Sequence, residues 1–105
     1  MSARIRNGED CWLATSNDEV VALMLLEPGW LDQLYVHPAH TNQGIGADLV
    51  AIAKREQPLG LQLWTFQSNT RAHAFYERHG FVAVEQTDGS HNEEQMPDVR
   101  YAWAP

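Results

Sequence analysis

The 105-residue chain holds a single cysteine, Cys11, so no disulfide can form within it. A reducing, cytoplasmic setting is the expectation. Cations are few: seven Lys and Arg stand against fourteen Asp and Glu, a net charge of −7. Phosphate backbones and anionic lipid surfaces both need a basic face, so neither nucleic acid nor a membrane is expected as partner. Long apolar runs are also missing. The longest, Val20 to Leu26, falls far short of the roughly 20 residues needed to span a bilayer. The start, Met1 to Gly8, has two arginines but no apolar stretch behind them, so no secretory signal is expected. Internal repeats, low-complexity tracts and linkers are absent, and 44% hydrophobic with 20% charged residues is ordinary globular composition. One domain over residues 1–105 is the expectation. Cys11, beside Trp12 and Leu13, reads as buried filler rather than a nucleophile.

The hydrophobic pattern divides the chain into short elements. Residues 11–15 read as a strand, and Ser16 to Glu19 as a polar turn. Val20 to Leu26 is apolar throughout, which suits a strand covered on both faces. Glu27-Pro28-Gly29 turns into a second strand, Trp30 to Val36, and His37-Pro38 ends it. From Gly46 the period changes to three and four, with Leu49, Ile52 and Ala53 on one face and Lys54 and Arg55 near the end. This is an amphipathic helix. Leu61 to Phe66 alternates as a strand. Ser68-Asn69 can cap a helix over 70–78 with Ala72, Phe75 and Tyr76 on one face, and Gly80 suits its C-terminal end. Phe81 to Glu85 and Val99 to Trp103 read as strands around a polar, turn-rich stretch from Thr87 to Pro97. The fold class is therefore α/β (α+β): a mixed, mostly antiparallel sheet with two crossover helices, in the order β-β-β-α-β-α-β-β.

Chemistry concentrates where the strand ending at Val36 runs into the loop His37-Pro-Ala-His-Thr-Asn-Gln-Gly-Ile-Gly and opens the first helix. A first helical turn carries unpaired N–H groups and a partial positive charge. Glycines at 44 and 46 let a ligand approach that backbone closely. The result is an anion cradle that needs no Lys or Arg, so a phosphate ligand fits an acidic chain. Gly-x-Gly alone is also what any tight strand-to-helix turn uses. It lacks the third glycine of a dinucleotide fingerprint and the Gly-Lys-Ser/Thr of a nucleoside-triphosphate loop.

Two motifs in order resemble those of the GNAT superfamily of acyl-CoA-dependent N-acetyltransferases. The first is a Leu-x-Val-x-Pro strand end followed by Gln/Arg-x-x-Gly-x-Gly/Ala. Here Leu34, Val36 and Pro38 match the strand end and Gly44 and Gly46 the glycines, while Thr41 stands where the family has Gln or Arg. The second is Asn69, Ala72, Phe75-Tyr76 and Gly80-Phe81. The likeness covers roughly residues 11–105. The family ordinarily opens with a strand and two helices that form part of the acceptor wall, and this chain has about ten residues ahead of its first recognisable strand.

The resemblance implies acetyl-CoA as acyl donor and a GNAT-like fold. Its pyrophosphate would lie on the amides of Asn42, Gln43, Gly44, Ile45, Gly46 and Ala47. Its pantetheine arm would hydrogen-bond the backbone of Leu34, Tyr35 and Val36 like an added strand. Asn69 would contact the cofactor arm or cap its helix, and Ala72 is small where the cofactor passes. Tyr76 would protonate the departing thiolate. Glu27 and Asp32 are candidate general bases by location. No metal site is expected: His37 and His40 flank a proline, and His73 and His79 face different sides of a helix. The expected activity is acetyl transfer to a primary amine by direct attack, on a small-molecule amine, a peptide N-terminus or a lysine. The alternative is a non-catalytic acyl-CoA-binding or dimeric interaction module. A homodimer that completes the acceptor wall would join the two readings.

Overall fold

The computed structural model describes residues 4–8, 10–41 and 43–105. The chain divides into two compact units, 1–57 and 58–105.

The first unit is an antiparallel meander of four strands and one helix. β1 (Arg4–Gly8) pairs with β2 (Cys11–Ser16), β2 with β3 (Glu19–Glu27), and β3 with β4 (Trp30–Val36). β1 lies in the first ten residues, to which the sequence pattern assigned no element. Its polar Arg-Ile-Arg-Asn-Gly run shows too little alternation to be read as a strand, and pairing with β2 is what extends it. β1 turns directly into β2, leaving no room for helices between them.

α1 (Ile45–Glu56) packs against β3 and β4. Ile45, Leu49, Val50 and Ala53 form its buried stripe, and Ile52 sits half-buried at the margin. Shutting Leu49 away from water contributes on the order of 2 kcal/mol. Asp48 in the first turn and Lys54 and Arg55 in the last oppose the helix dipole. The helix is tied to the β3–β4 turn, where the Gly29 N–H donates to Gln57 Oε1 at 2.9 Å.

The second unit comprises β5 (Leu61–Phe66), α2 (Thr70–Arg78), β6 (Val82–Thr87) and β7 (Asp98–Trp103). β7 lies between β5 and β6 and is antiparallel to both. Alternation sets the faces: Leu61, Leu63, Val99 and Tyr101 are buried, whereas Gln62, Trp64 and Arg100 point the other way. The buried face carries the aromatic group of Tyr76, Phe81 and Tyr101. Burial first, then the Glu77 carboxylate that accepts from the Tyr101 hydroxyl at 2.7 Å, push the Tyr101 phenol up to about 12. The strand order read from sequence, with β1 added, is the order observed, and the chain is a mixed α/β protein of mostly antiparallel strands and two helices.

Candidate functional site

β4 ends at Val36 and passes through one 3-10 turn, Pro38–His40, before α1 begins. The turn is built locally. Pro38 fixes its first position, and His37 Nδ1 accepts from the Ala39 N–H at 3.0 Å. The Thr41 hydroxyl donates to the Pro38 carbonyl at 3.0 Å. Thr41 thus serves the loop at the place where the resembled motif has a long polar side chain. His40 Nδ1 and Gln43 Oε1 lie 3.2 Å apart. Asn42 falls outside the described residues.

Gly44 is the N-cap of α1 with φ 81°, in the left-handed region. A side chain at 44 would meet open space, so the glycine is required by its backbone angle and not by crowding. It caps the helix without a side-chain hydrogen bond. The Asp48 N–H is the first in the helix to reach back, bonding the Gly44 carbonyl at 3.0 Å. The amides of Ile45, Gly46 and Ala47 precede that bond and have no acceptor inside the helix. Ile45 is buried and anchors the turn, while Gly44 is exposed and Gly46 and Ala47 are half-buried. A ring of backbone donors with the positive end of a twelve-residue helix behind it can bind an anion such as a diphosphate.

On β4, Leu34 and Val36 are half-buried and Tyr35 is 50% exposed. At the opposite end of the same hairpin, Asp32 raises the Glu27 pKa, first by its charge and then by a shared hydrogen bond, and Asp10 adds to it. Both carboxylates are exposed.

In the second unit, Asn69 and Tyr76 occupy α2. Asn69 Oδ1 accepts from the Ala72 N–H at 3.2 Å, so its capping role is realised and uses that oxygen alone. We expect Asn69→Ala to cost about 1 kcal/mol, read as a fall in Tm of roughly 4–8 °C. Asn69→Asp should melt with the wild type. An unchanged Tm in the alanine variant would remove the cap from the account of α2. Ala72 is half-buried on the same helix.

Tyr76 is the one buried residue of α2. Its ring packs edge-on against Phe75 and Phe81. Among the described residues no buried side-chain oxygen lacks a hydrogen-bond partner. Burial pushes the Tyr76 phenol up to about 12. The sequence pattern did not reveal Glu77 as the partner that fixes Tyr101 beside this ring. A carboxylate one residue from Tyr76 on a short helix was the available signal.

Comparison with known proteins converges on one family. Residues 7–83 match the family model of the acetyltransferase (GNAT) domain. The peptidyl-lysine N-acetyltransferase YjaB of Salmonella typhimurium is 41% identical over 78 residues, 73% of this chain and 53% of the relative. The chain spans about half the length of the curated relatives it matches. The solution structure of apo YjaB from Escherichia coli superposes with a TM-score of 0.79 at 26% identity, covering 89% of this chain and 63% of that one. A GNAT acetyltransferase from Elizabethkingia anophelis, solved with acetyl-CoA bound, has a TM-score of 0.75 at 19% identity over 90% of this chain and 75% of the other. With residues 7–83, nearly three quarters of its length, inside the family model, the chain belongs to the GNAT acetyltransferase family.

Proposed function

We propose that this chain transfers an acetyl group from acetyl-CoA to a primary amine by direct attack, with no covalent enzyme intermediate. The observation that carries the reading is the row of amides at Ile45, Gly46 and Ala47 behind the left-handed Gly44. These donors take the pyrophosphate, with the amides of Gln43 and Gly44 at the loop's end, and the backbone of Leu34, Tyr35 and Val36 takes the pantetheine arm. Asn69 keeps its amide NH2 for the cofactor while Oδ1 caps α2. Ala72 leaves room beside it.

The acceptor amine attacks the thioester carbonyl as the free base. The C–N bond forms, the tetrahedral intermediate collapses, and the C–S bond breaks with the sulfur leaving as thiolate. Tyr76 donates a hydrogen bond to that sulfur. Glu27 or Asp32, directly or through water, takes the amine proton, and the raised Glu27 pKa suits a proton acceptor. A lysine side chain is the favoured acceptor: the Salmonella relative carries peptidyl-lysine in its name, and a net charge of −7 attracts a cationic amine. A peptide N-terminus or a small amine offers the same nucleophile. The protein works in the cytoplasm as a homodimer, a setting in keeping with its single cysteine.

Calorimetric titration with acetyl-CoA tests the reading. Saturable binding is expected, in the micromolar range typical of enzyme substrates. Release of free thiol with a lysine-containing peptide should follow. No heat at millimolar ligand removes both transfer and binding, and binding without thiol release across a panel of amines leaves only an acyl-CoA-binding module.

A further inference from the structure

Among the described residues of the first unit the two sheet faces have nearly the same apolar content, and one is closed off while the other keeps contact with solvent. The register assigns the rows. Ala14, Ala22 and Val36 lie opposite one another, as do Trp12, Met24 and Leu34. This inner face is closed off, with Ala14, Ala22 and Met24 at 0% exposure. On the outer face, Arg6 pairs with Leu13, Leu13 with Leu23, and Leu23 with Tyr35. Beside that row, Cys11 pairs with Leu25 and Leu25 with Gln33, and Thr15 pairs with Val20. Here Leu13, Leu23 and Leu25 keep contact with solvent, and Val20 and Tyr35 are 55% and 50% exposed. An antiparallel sheet with one wet face alternates apolar with polar residues. β3, Glu-Val-Val-Ala-Leu-Met-Leu-Leu-Glu, does not alternate: its sequence is that of a strand covered on both sides.

We propose that the outer face of β1–β4 is the interface with a second copy of this chain, related by a two-fold axis parallel to the strands. The proposal rests on the homodimer reading above, and its test is one of assembly, so it stands or fails apart from acetyl transfer. Charge argues for a second copy. The β1 margin of the face carries the exposed Arg6, and the β4 margin carries Tyr35, with Asp32 and Glu27 at the hairpin end. A two-fold axis along the strands exchanges the two margins. It lays Arg6 of one copy over Tyr35 of the other, where the guanidinium can stack on the ring and reach toward Asp32. The interior of the face is uncharged, so no unpaired charge is buried. The leucines meet across the centre.

Size sets the strength. Four strands give a face ~19 Å wide, and their mean length of about seven residues one ~23 Å long. Counted over both copies the footprint is ~900 Å², below the about 1,200 Å² of stable interfaces and in the range of weak, transient ones. A weak, reversible dimer with a Kd of about 100 µM is the expected consequence.

Sedimentation velocity of the full chain from about 1 to 500 µM spans that range. The wild type should pass from monomer to dimer. Leu23→Glu should be monomeric throughout, and Arg6→Glu should weaken the dimer about tenfold by losing one interfacial charge contact on each side. Val82→Glu, at an exposed position on β6, should dimerise as the wild type does. Far-ultraviolet circular dichroism checks that each variant folds. If Leu23→Glu does not fold, Arg6→Glu decides alone, since an exposed β1 side chain has no packing to lose. A wild type that stays monomeric overturns the proposal and leaves the face to a different protein or to the acceptor. A dimer indifferent to Leu23→Glu and Arg6→Glu, or one abolished by Val82→Glu, overturns the assignment of the face while keeping the homodimer.

Discussion

Tyr76→Phe is expected to lower kcat for acetyl transfer about a hundredfold, the lower end of what one positioned hydrogen-bond donor supplies to a developing negative charge, with acetyl-CoA affinity held within about twofold. The ring is what the fold uses, and the ring is kept. Phe75 and Phe81 still pack against it. The melting temperature should therefore not move. What disappears is a single O–H. Its phenol titrates at about 12, above the roughly 8.5 of an ordinary thiol. Complete transfer of its proton to a thiolate is uphill by about 3.5 units, or ~5 kcal/mol. In the proposed mechanism Tyr76 would therefore stabilise the leaving sulfur as a hydrogen-bond donor, and the thiolate would take its proton from water afterwards. The pH profile follows. Tyr76 stays protonated to well above pH 10, so kcat should show no alkaline limb from this group within the range where the protein is folded. Equal losses in kcat and cofactor affinity, or a lowered Tm, would assign Tyr76 to structure alone.

The same burial links Tyr76 to stability. Its folded-state pKa of about 12 lies above the 10.0 of the free side chain, so the fold favours the neutral phenol. That stabilisation is complete below pH 10 and is lost as pH rises through 12. The stabilisation this represents is on the order of 3 kcal/mol. Tyr101, raised to about 12 by burial and by Glu77, acts in the same direction over the same window.

Much of this arrangement is legible in the sequence because local signals and tertiary packing agree. The Gly44 and Gly46 spacing, the change of period after Gly46 and the Asn69 cap each name an element boundary, and α1 and α2 begin where they say. β1 was not legible, since Arg4 to Gly8 has no period of its own and becomes a strand only through its partner β2. The two-sided character of Val20 to Leu26 could be read, but which side a second element covers is decided by where α1 folds back. Within the site, the amides could be anticipated from Gly-x-Gly. The use of Thr41 by the Pro38 carbonyl could not, because a threonine hydroxyl finds its partner only once the 3-10 turn has formed. The closure of the Thr87–Pro97 stretch was also hidden. A polar, turn-rich composition announces a loop and says nothing of how firmly it is held.

That loop is held firmly enough for Gly89→Ala to produce the largest loss of stability we expect, about 3 kcal/mol or more. Gly89 has φ 85° and is buried. A Cβ there would fall on the backbone of Met96, not on the end of a flexible side chain. Met96 has nowhere to go. Its N–H donates to Asn92 Oδ1 at 3.2 Å, and its carbonyl accepts from Asn92 Nδ2 at 2.9 Å. Asn92 Nδ2 also lies 3.2 Å from Oδ2 of Asp98, a carboxylate in the first position of β7 that is only 4% exposed. Asp98 in turn accepts from the Thr87 hydroxyl and faces His91 Nε2 at 3.3 Å. The Gly89 N–H closes the circle by donating to Thr87 Oγ1 at 3.1 Å. An alanine must break this ring or strain its own backbone by ~1–2 kcal/mol on top of the overlap. For a chain of this length the fall in Tm should be on the order of 15 °C. Glu94→Ala, an exposed change in the same loop, should leave Tm within about 1–2 °C. Limited proteolysis separates local from global loss: cleavage confined to 88–97 below the melting transition would show that the ring opens by itself. A Gly89→Ala protein that melts with the wild type and resists protease would show that the Asp98 ring yields at no cost.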